Sequence, residues 1–344
     1  MPRKSKKSAK GAGTIRKRSD GRWEARFTAG FDPATGKQIQ KSIYGKTQRE
    51  VRERLSQTTV EVDDGTYIEP CLMTVEEWVT IWLKEYTSDK KWSTLKNYRA
   101  VVNTHIIPAL GRYQLAQLNP HILQGFINSL LRGNGKGKSL SAKTVKNVHG
   151  VLRKSLAVAV QLEYLKRNPA EKIILPRVEK KAIKPLSDEQ VRSMVATAGY
   201  DGFGTLFKVV VFTGLRLGEA LGLTWDCVDF NKHRLTIDKQ LQKRPLKDGG
   251  YVFAPLKNDK IRVIAPAPYV LDLLKEWQQK QKEDRLMAGS AWEGWQSEKE
   301  RQTALVFTNE LGGHLHPQTV YNHFKKLAAS VGAPDARVHD LRHP

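Results

Sequence analysis

The sequence predicts a multidomain α+β chain: a small three-stranded sheet with one helix, then an all-helical unit, then a mainly helical domain carrying a small antiparallel sheet. Three observations carry this. At 344 residues the chain exceeds one ordinary domain, and two or three are expected. Apolar residues alternate with period two near the start and recur with helical period over most of the remainder. Breaks in that patterning fall at Gly65–Cys71 and at a Pro-bracketed basic stretch, 174–186.

Residues 1–13 are rich in Lys, Ser and Gly with almost nothing apolar, and read as a basic disordered tail. Residues 14–65 read as a folded unit. Ile15 lies in a short run ended by the turn Ser19-Asp20-Gly21. Arg22 to Ala29 then alternates, with Trp23, Ala25 and Phe27 on one face and Arg22, Glu24 and Arg26 on the other. A second turn, 32–36, leads to Lys37–Tyr44, where Ile39 and Ile43 share a face. Thr47 and Glu50 form a capping box that opens a helix carrying Val51, Leu55 and Val62. Such a layer needs its apolar face covered and leaves an Arg- and Lys-bearing strand face exposed.

Residues 73–173 read as all helical. Thr74 and Glu77 cap a helix whose stripe of Val75, Trp78, Val79 and Trp82 is core. Ser93 caps a second helix with Leu95, Tyr98 and Val102, and a third covers roughly Pro120–Leu131. Gly133–Lys138 lacks the spacing of a phosphate-binding loop and reads as a flexible basic connector. A fourth helix starts near Ser141, carries Val145, Val148, Leu152 and Leu156, and ends at Asn168-Pro169. In the linker 174–186, Lys180, Lys181 and Lys184 either cross a phosphate backbone or form a solvated tether.

Residues 187–344 form the third domain. Ser187 and Gln190 cap a helix to about Ala198, and an apolar helix runs from Phe203 through Val211. Arg234–Lys239 alternates like a strand, and Tyr251–Ile264 reads as a hairpin around Asn258-Asp259. Tyr269–Asp284 is helical, 285–301 has no settled pattern, Val306–Thr308 reads as a short strand, and Pro317–Val331 as a helix.

Composition bounds the partners. Lys and Arg number 58 against 35 Asp and Glu, a net charge of +23, which costs self-repulsion unless a polyanion answers it. Nucleic acid is the leading partner and anionic membrane the rival, although no apolar run approaches spanning length. Residues 1–54 hold 16 Lys and Arg against 5 Asp and Glu, nearly half the excess. That places the candidate DNA contacts Arg16, Lys17, Arg18, Arg22, Arg26 and Lys41 on the first sheet. The basic N-terminus has no apolar segment behind it and is not a signal peptide. Two distant cysteines, Cys71 and Cys227, give neither a disulfide framework nor a zinc signature, so a cytoplasmic protein without metal or cofactor is expected.

Three places can carry chemistry. Arg216 follows a glycine inside an apolar run, where it needs an anion; the anion is either a ligand or Glu219, three residues on. Lys257 sits at a lysine-rich hairpin tip, either as a solvated edge or as a proton donor. His339 and Arg342 are spaced to share one helical face and reach one anion. Of the ten tyrosines the last is Tyr321, upstream of His339.

Taken in order, these residues resemble a known family. Thr213-Gly214-Leu215-Arg216-Leu217-Gly218-Glu219 resembles the first arginine motif of the tyrosine recombinases of phages and conjugative transposons. His339-Asp340-Leu341-Arg342-His343 resembles the start of their second motif, and Lys257 lies between in the family's order. Residues 14–65, with Asp20-Gly21-Arg22-Trp23-Glu24-Ala25-Arg26 and Tyr44-Gly45-Lys46-Thr47, resemble the arm-site-binding domain, 73–173 the core-binding domain, and 187–344 the catalytic domain.

The resemblance implies breakage and rejoining of double-stranded DNA at arm and core attachment sites through a 3′-phosphotyrosyl intermediate. Arg216 and Arg342 would clamp the phosphate, His339 assist, and Lys257 protonate the departing 5′ oxygen. It also implies a homotetramer on DNA and an accessory bending or directionality protein. The family's tyrosine follows the second arginine by a few tens of residues, so the catalytic domain is expected to be truncated before its nucleophile. Two readings stay open: an integrase whose sequence here is interrupted, and a non-cleaving DNA-binding regulator or inactive remnant.

Overall fold

A computed structural model describes residues 13–69, 71–133, 139–179, 185–199 and 201–342. Three expectations, the basic tail up to residue 12, the connector at 134–138 and the linker lysines Lys180, Lys181 and Lys184, fall outside them. The chain divides into two compact units, Met1–Lys180 and Lys181–Pro344.

The first unit opens with an antiparallel sheet, β1 (Thr14–Lys17), β2 (Trp23–Phe31) and β3 (Gln38–Gly45), in that spatial order. Helix α1 (Gln48–Asp63) covers one face, burying Val51 and Leu55 against Ala25 and Phe27. Thr47 caps α1 through the Glu50 N–H, but the Glu50 carboxylate accepts from Lys46 N–H rather than from Thr47, so the expected box closes one residue early.

The helices that follow form a separate core. α2 (Val75–Glu85) begins at a complete Thr74–Glu77 capping box. Trp78 and Trp82 are buried as expected: the Trp78 indole donates to the Ser155 carbonyl at 3.2 Å, and Trp82 stacks on Tyr98 at 5.3 Å. α3 (Trp92–Val101) has its cap at Lys91, so Ser93 lies inside the first turn and does not cap it. The chain continues through a wide turn, Val102–Ile106, into α4 (Ile107–Leu110). Pro108 brings no N–H to that turn and its ring needs room, which the wider winding provides.

α5 (Pro120–Arg132) is capped by Asn119 and α6 (Ala142–Gln161) by Ser141. α6 stops well before the expected Asn168-Pro169. Glu163 turns left-handed (φ 59°), Tyr164 N–H returns to the Ala159 carbonyl at 2.9 Å, and the Tyr164 ring packs edge-on against Trp78. Asn168 instead caps a 3₁₀ turn, Pro169–Lys172.

The second unit is built around α8 (Gly202–Thr213), whose residues 204–210 are buried, with α7 (Asp188–Thr197) beside it behind the Ser187–Gln190 capping box. α8 ends at Gly214 in the left-handed conformation (φ 63°), and Arg216 then starts the short α9 (Leu217–Leu221). Between Gly214 and Arg216, Leu215 is fully buried and pins the backbone.

The small strands depart from the expected hairpin. β4 (Val228–Asp229), β5 (Arg234–Ile237) and β8 (Arg262–Ile264) make one sheet, and β6 (Lys239–Lys243) pairs with β7 (Tyr251–Pro255) in another. β7 and β8 are therefore not paired with each other. The run 234–243 breaks at Asp238, and each half takes its own partner. A turn does form at the expected place, where Asp259 (φ 54°) donates its N–H to the Leu256 carbonyl at 3.1 Å.

α10 (Pro268–Ala288) outlasts the expected helix by four residues, and α11 (Glu298–Thr303) begins in the unassigned stretch and runs two residues past it. The expected strand 306–308 is not a strand. Side chains of α10 hold it instead: Trp277 donates to the Val306 carbonyl at 2.6 Å, and buried Gln281 donates to the Leu305 carbonyl and to Thr308 Oγ1. α12 (Pro317–Ser330) follows, and a 3₁₀ turn, Val338–Arg342, packs Val338 and Leu341 into the core that holds Leu215. Among the described residues no helix is long and apolar enough to cross a membrane.

Gly214 sets the entry to Arg216, and a Cβ there would meet nothing within 4 Å. Gly214→Ala is therefore expected to cost only the left-handed backbone penalty, about 1–2 kcal/mol, read as a lowered denaturation midpoint. A loss above about 4 kcal/mol would show that packing, rather than backbone conformation, requires the glycine.

Candidate functional site

The second unit buries one carboxylate between two arginines. Glu219, on the first turn of α9, is 2% exposed. Arg262 on β8 donates to both of its oxygens, Nη1 to Oε1 at 3.1 Å and Nη2 to Oε2 at 2.6 Å. Arg216 adds its backbone N–H to Oε2 at 2.9 Å and its Nη1 to Oε1 at 2.8 Å. The internal ion pair weighed from the sequence is thus present. It does not consume the arginines, whose side chains remain 39% and 33% exposed. One buried negative charge holds two partly exposed positive ones, and the cluster keeps a net positive charge.

The other candidates hang on the same framework. Lys257 is exposed in the turn between β7 and β8, five residues before Arg262, so the Arg262–Glu219 pair tethers its loop to α9. His339 is exposed on the 3₁₀ turn that Arg342 closes. Asp340, between them, holds Arg337 through Nη2 at 2.7 Å and through its backbone N–H at 2.9 Å. Those hydrogen bonds and the adjacent charge hold the Asp340 carboxyl below its usual range.

Arg262 was not singled out from the sequence. The available signal was parity: it shares a strand face with the half-buried Ile264, and a cation facing inward needs an anion such as Glu219.

The basic residues of the first sheet do not act as one face. Register places Arg16 opposite Glu24 and Arg26 opposite Ser42 on the side away from α1, and Arg18 lies 5.4 Å from the Tyr44 ring. Lys17 pairs with Trp23 and Lys41 with Phe27, so both belong to the opposite, helix-covered side. Lys41 is bonded there to Glu69 at 2.6 Å. Arg22 precedes β2 and is held by Asp20 in the turn. The strand register, with its period of two, splits the list.

Burial alone would raise the Glu219 carboxyl from its ordinary 4.5, but the hydrogen bonds from Arg262, and then from Arg216, outweigh it and bring it to about 2. A group depressed in the folded chain contributes stability that is complete above its ordinary value and is lost as pH falls from about 4.5 toward about 2. Glu219→Gln is expected to lower the melting temperature at neutral pH by leaving Arg262 without its bidentate partner, and to flatten the acid limb over that window. Parallel acid limbs for variant and wild type would show that Glu219 is not held ionised.

Residues 184–344 match the phage integrase family, and residues 74–131 match the phage integrase N-terminal SAM-like domain. A XerC-like tyrosine recombinase of Caldanaerobacter subterraneus is 26% identical over 323 residues, covering 90% of this chain and 80% of that protein. The ICEBs1 integrase of Bacillus subtilis is 26% identical over 272 residues, covering 78% and 72%. Among solved structures, the Tn1549 transposon integrase in complex with transposon right end DNA superposes with a TM-score of 0.64 at 18% identity, over 79% of this chain and 84% of that one. The lambda integrase tetramer bound to a Holliday junction gives 0.54 at 17% identity, over 98% and 87%. At those identities the structural likeness is one of fold. The two sequence matches take in both the helical unit and the domain that carries Arg216, Lys257, His339 and Arg342, and the chain belongs to the phage integrase family of tyrosine recombinases.

Proposed function

We propose that this chain is a site-specific DNA recombinase that holds double-stranded DNA at arm sites through its N-terminal sheet and at core sites through its helical unit and second domain. The observation that carries the reading is the Glu219 cluster. A guanidinium fixed by a buried carboxylate and still exposed suits the non-bridging oxygens of a phosphodiester, whose charge grows as an oxygen attacks phosphorus. Arg216 and Arg342 form the clamp, His339 assists by hydrogen bonding or proton transfer, and Lys257 protonates the 5′ oxygen as it leaves. The bond energy is kept in a 3′-phosphotyrosine, so rejoining needs neither ATP nor metal.

The nucleophile, in this reading, is not among the ten tyrosines of residues 1–344. In the second unit Tyr251 is stacked on His314 at 4.5 Å, Tyr269 packs on Phe212 at 5.3 Å, and Tyr321 on α12 lies under Lys325 at 5.7 Å. Binding rests on residues 1–344 themselves, and cleavage rests on the tyrosine nucleophile. The DNA-bound Tn1549 and lambda integrases support DNA as partner, the lambda tetramer supports a tetrameric assembly, and a bending or directionality protein would complete it.

Binding of duplex DNA is expected to weaken steeply with salt, with a log–log slope of roughly −0.9 per phosphate contacted. Deleting residues 1–65 should make that slope shallower by about 2–4. An unchanged slope would remove the N-terminal sheet from the DNA interface. In a chain carrying the nucleophile, Arg216→Ala and Arg342→Ala should each cut recombination by about 10²–10³ while leaving DNA binding within a few-fold; recombination at the wild-type rate would overturn the clamp.

A further inference from the structure

The open face of the β1–β2–β3 sheet has a single acid at its centre. Glu24 stands across the ladders from Arg16 on one side and Tyr44 on the other. Its Oε2 accepts from Arg16 Nε at 2.7 Å, with Arg16 Nη2 in ion-pair contact at 2.7 Å. Its Oε1 accepts from Arg26 Nε at 3.1 Å and from Ser42 Oγ at 2.9 Å. A carboxylate offers about four lone-pair sites, and these hydrogen bonds take three of them. Covered in this way and 1% exposed, Glu24 is not placed to read bases itself.

Glu24 is 1% exposed, yet what covers it is two arginine side chains that are themselves 58% and 48% exposed, not protein interior. The arginines, Arg16 first and then Arg26, hold its carboxyl down to about 2, so it stays ionised throughout the neutral range. On a surface built only to attract phosphate this charge would be a defect, since it subtracts from the counterion-release term. What it supplies is order. Each guanidinium is held through Nε, with Arg16 Nη2 also against the carboxylate, which leaves the Nη1 group of each outside these contacts and fixes the flexible part of the side chain before binding.

We infer that Glu24 is a specificity-determining positioning residue, which fixes Arg16 and Arg26 as a paired fork for base edges in the major groove of double-stranded DNA. The inference rests on the proposed reading of this sheet as a DNA-binding face. The two arginines are diagonal neighbours on adjacent strands, roughly 7 Å apart at Cβ. Both guanidinium groups converge on the Glu24 carboxylate, so they are presented side by side. Arginine forks favour guanine O6 and N7, so the preferred site should hold two closely spaced guanines.

The test is selection from a random duplex pool with the full chain, followed by the affinity ratio of selected to scrambled duplex at one fixed salt concentration. The motif that belongs to the sheet is the one lost when Arg16 and Arg26 are both changed to Ala. Glu24→Gln is expected to lower the ratio for that motif by about ten-fold or more, with affinity for scrambled duplex unchanged or higher because a negative charge has gone. Arg26→Lys, which keeps the charge but not the fork, should lower the ratio with the salt slope unchanged, and it stands in if the Glu24 variant fails to fold. A wild-type ratio in Glu24→Gln, or an equal loss of affinity for both duplexes, overturns the inference and leaves the sheet as a DNA-binding face. If no motif is lost in the double alanine variant, the reading of the face fails with it.

Discussion

The second unit depends on a buried carboxylate that needs two arginines to exist. An ionised Glu219 in the interior is costly, and removing one partner from such a pair commonly costs about 3–5 kcal/mol. Replacing the whole cluster with well-packed apolar groups would be close to neutral or even stabilising, so stability does not explain why the fold contains it. Its geometric consequences are more informative. Arg262 on β8 and Arg216 at the start of α9 are brought to one anion, and the turn carrying Lys257 is tied to the same point. Leu215 and Leu341, both fully buried in one core, hold the Arg216 entry and the His339 turn from behind. Removing Glu219 would leave the strands and helices in place but release the elements that present the cations.

The same device recurs in the N-terminal sheet with a different setting. Glu24 also carries two arginines and also stays ionised, but the arginines themselves are its cover. Around Glu219 the protein supplies the low-dielectric surroundings, and the arginines are its partners within them. Around Glu24 the charge sits at the surface, where salt screens it and solvent competes. The second cluster therefore adds little to folding and is better understood by what it does to the orientation of its arginines.

Much of this was legible in the sequence because local rules decided it. Thr74–Glu77 and Ser187–Gln190 form the boxes their spacing announces, and Trp78 and Trp82 fall in the core because their stripe has helical period. The misreadings share a cause, in that partners distant in sequence settled them. β7 and β8 look like a hairpin locally, yet β6 and β5 claim them separately. Residues 306–308 look like a strand, yet Trp277 and Gln281 bond to the Val306 carbonyl and the Thr308 hydroxyl from a helix. Register likewise puts Lys17 and Lys41 on the other side of the sheet from Arg16 and Arg26, which their own sequence surroundings do not reveal. At the site, Arg216 and its ion pair were readable three residues apart, whereas Arg262 was not, because it lies forty-three residues downstream of Glu219.

Net charge therefore says less about this protein than the way its charge is held. A surplus of +23 favours attraction to a polyanion, and counterion release needs only that cations reach phosphates, not that they hold a fixed geometry. Selecting one sequence, or one phosphate among many, requires cations whose positions are fixed before the ligand arrives. In both units the arginines that meet this condition are the ones bonded to a shared carboxylate, which they in turn keep ionised. Lysine is a poor substitute in that role, because a point charge on a flexible stem offers a carboxylate no fork to hold. The acids at the two candidate interfaces are thus what separates holding DNA from recognising it.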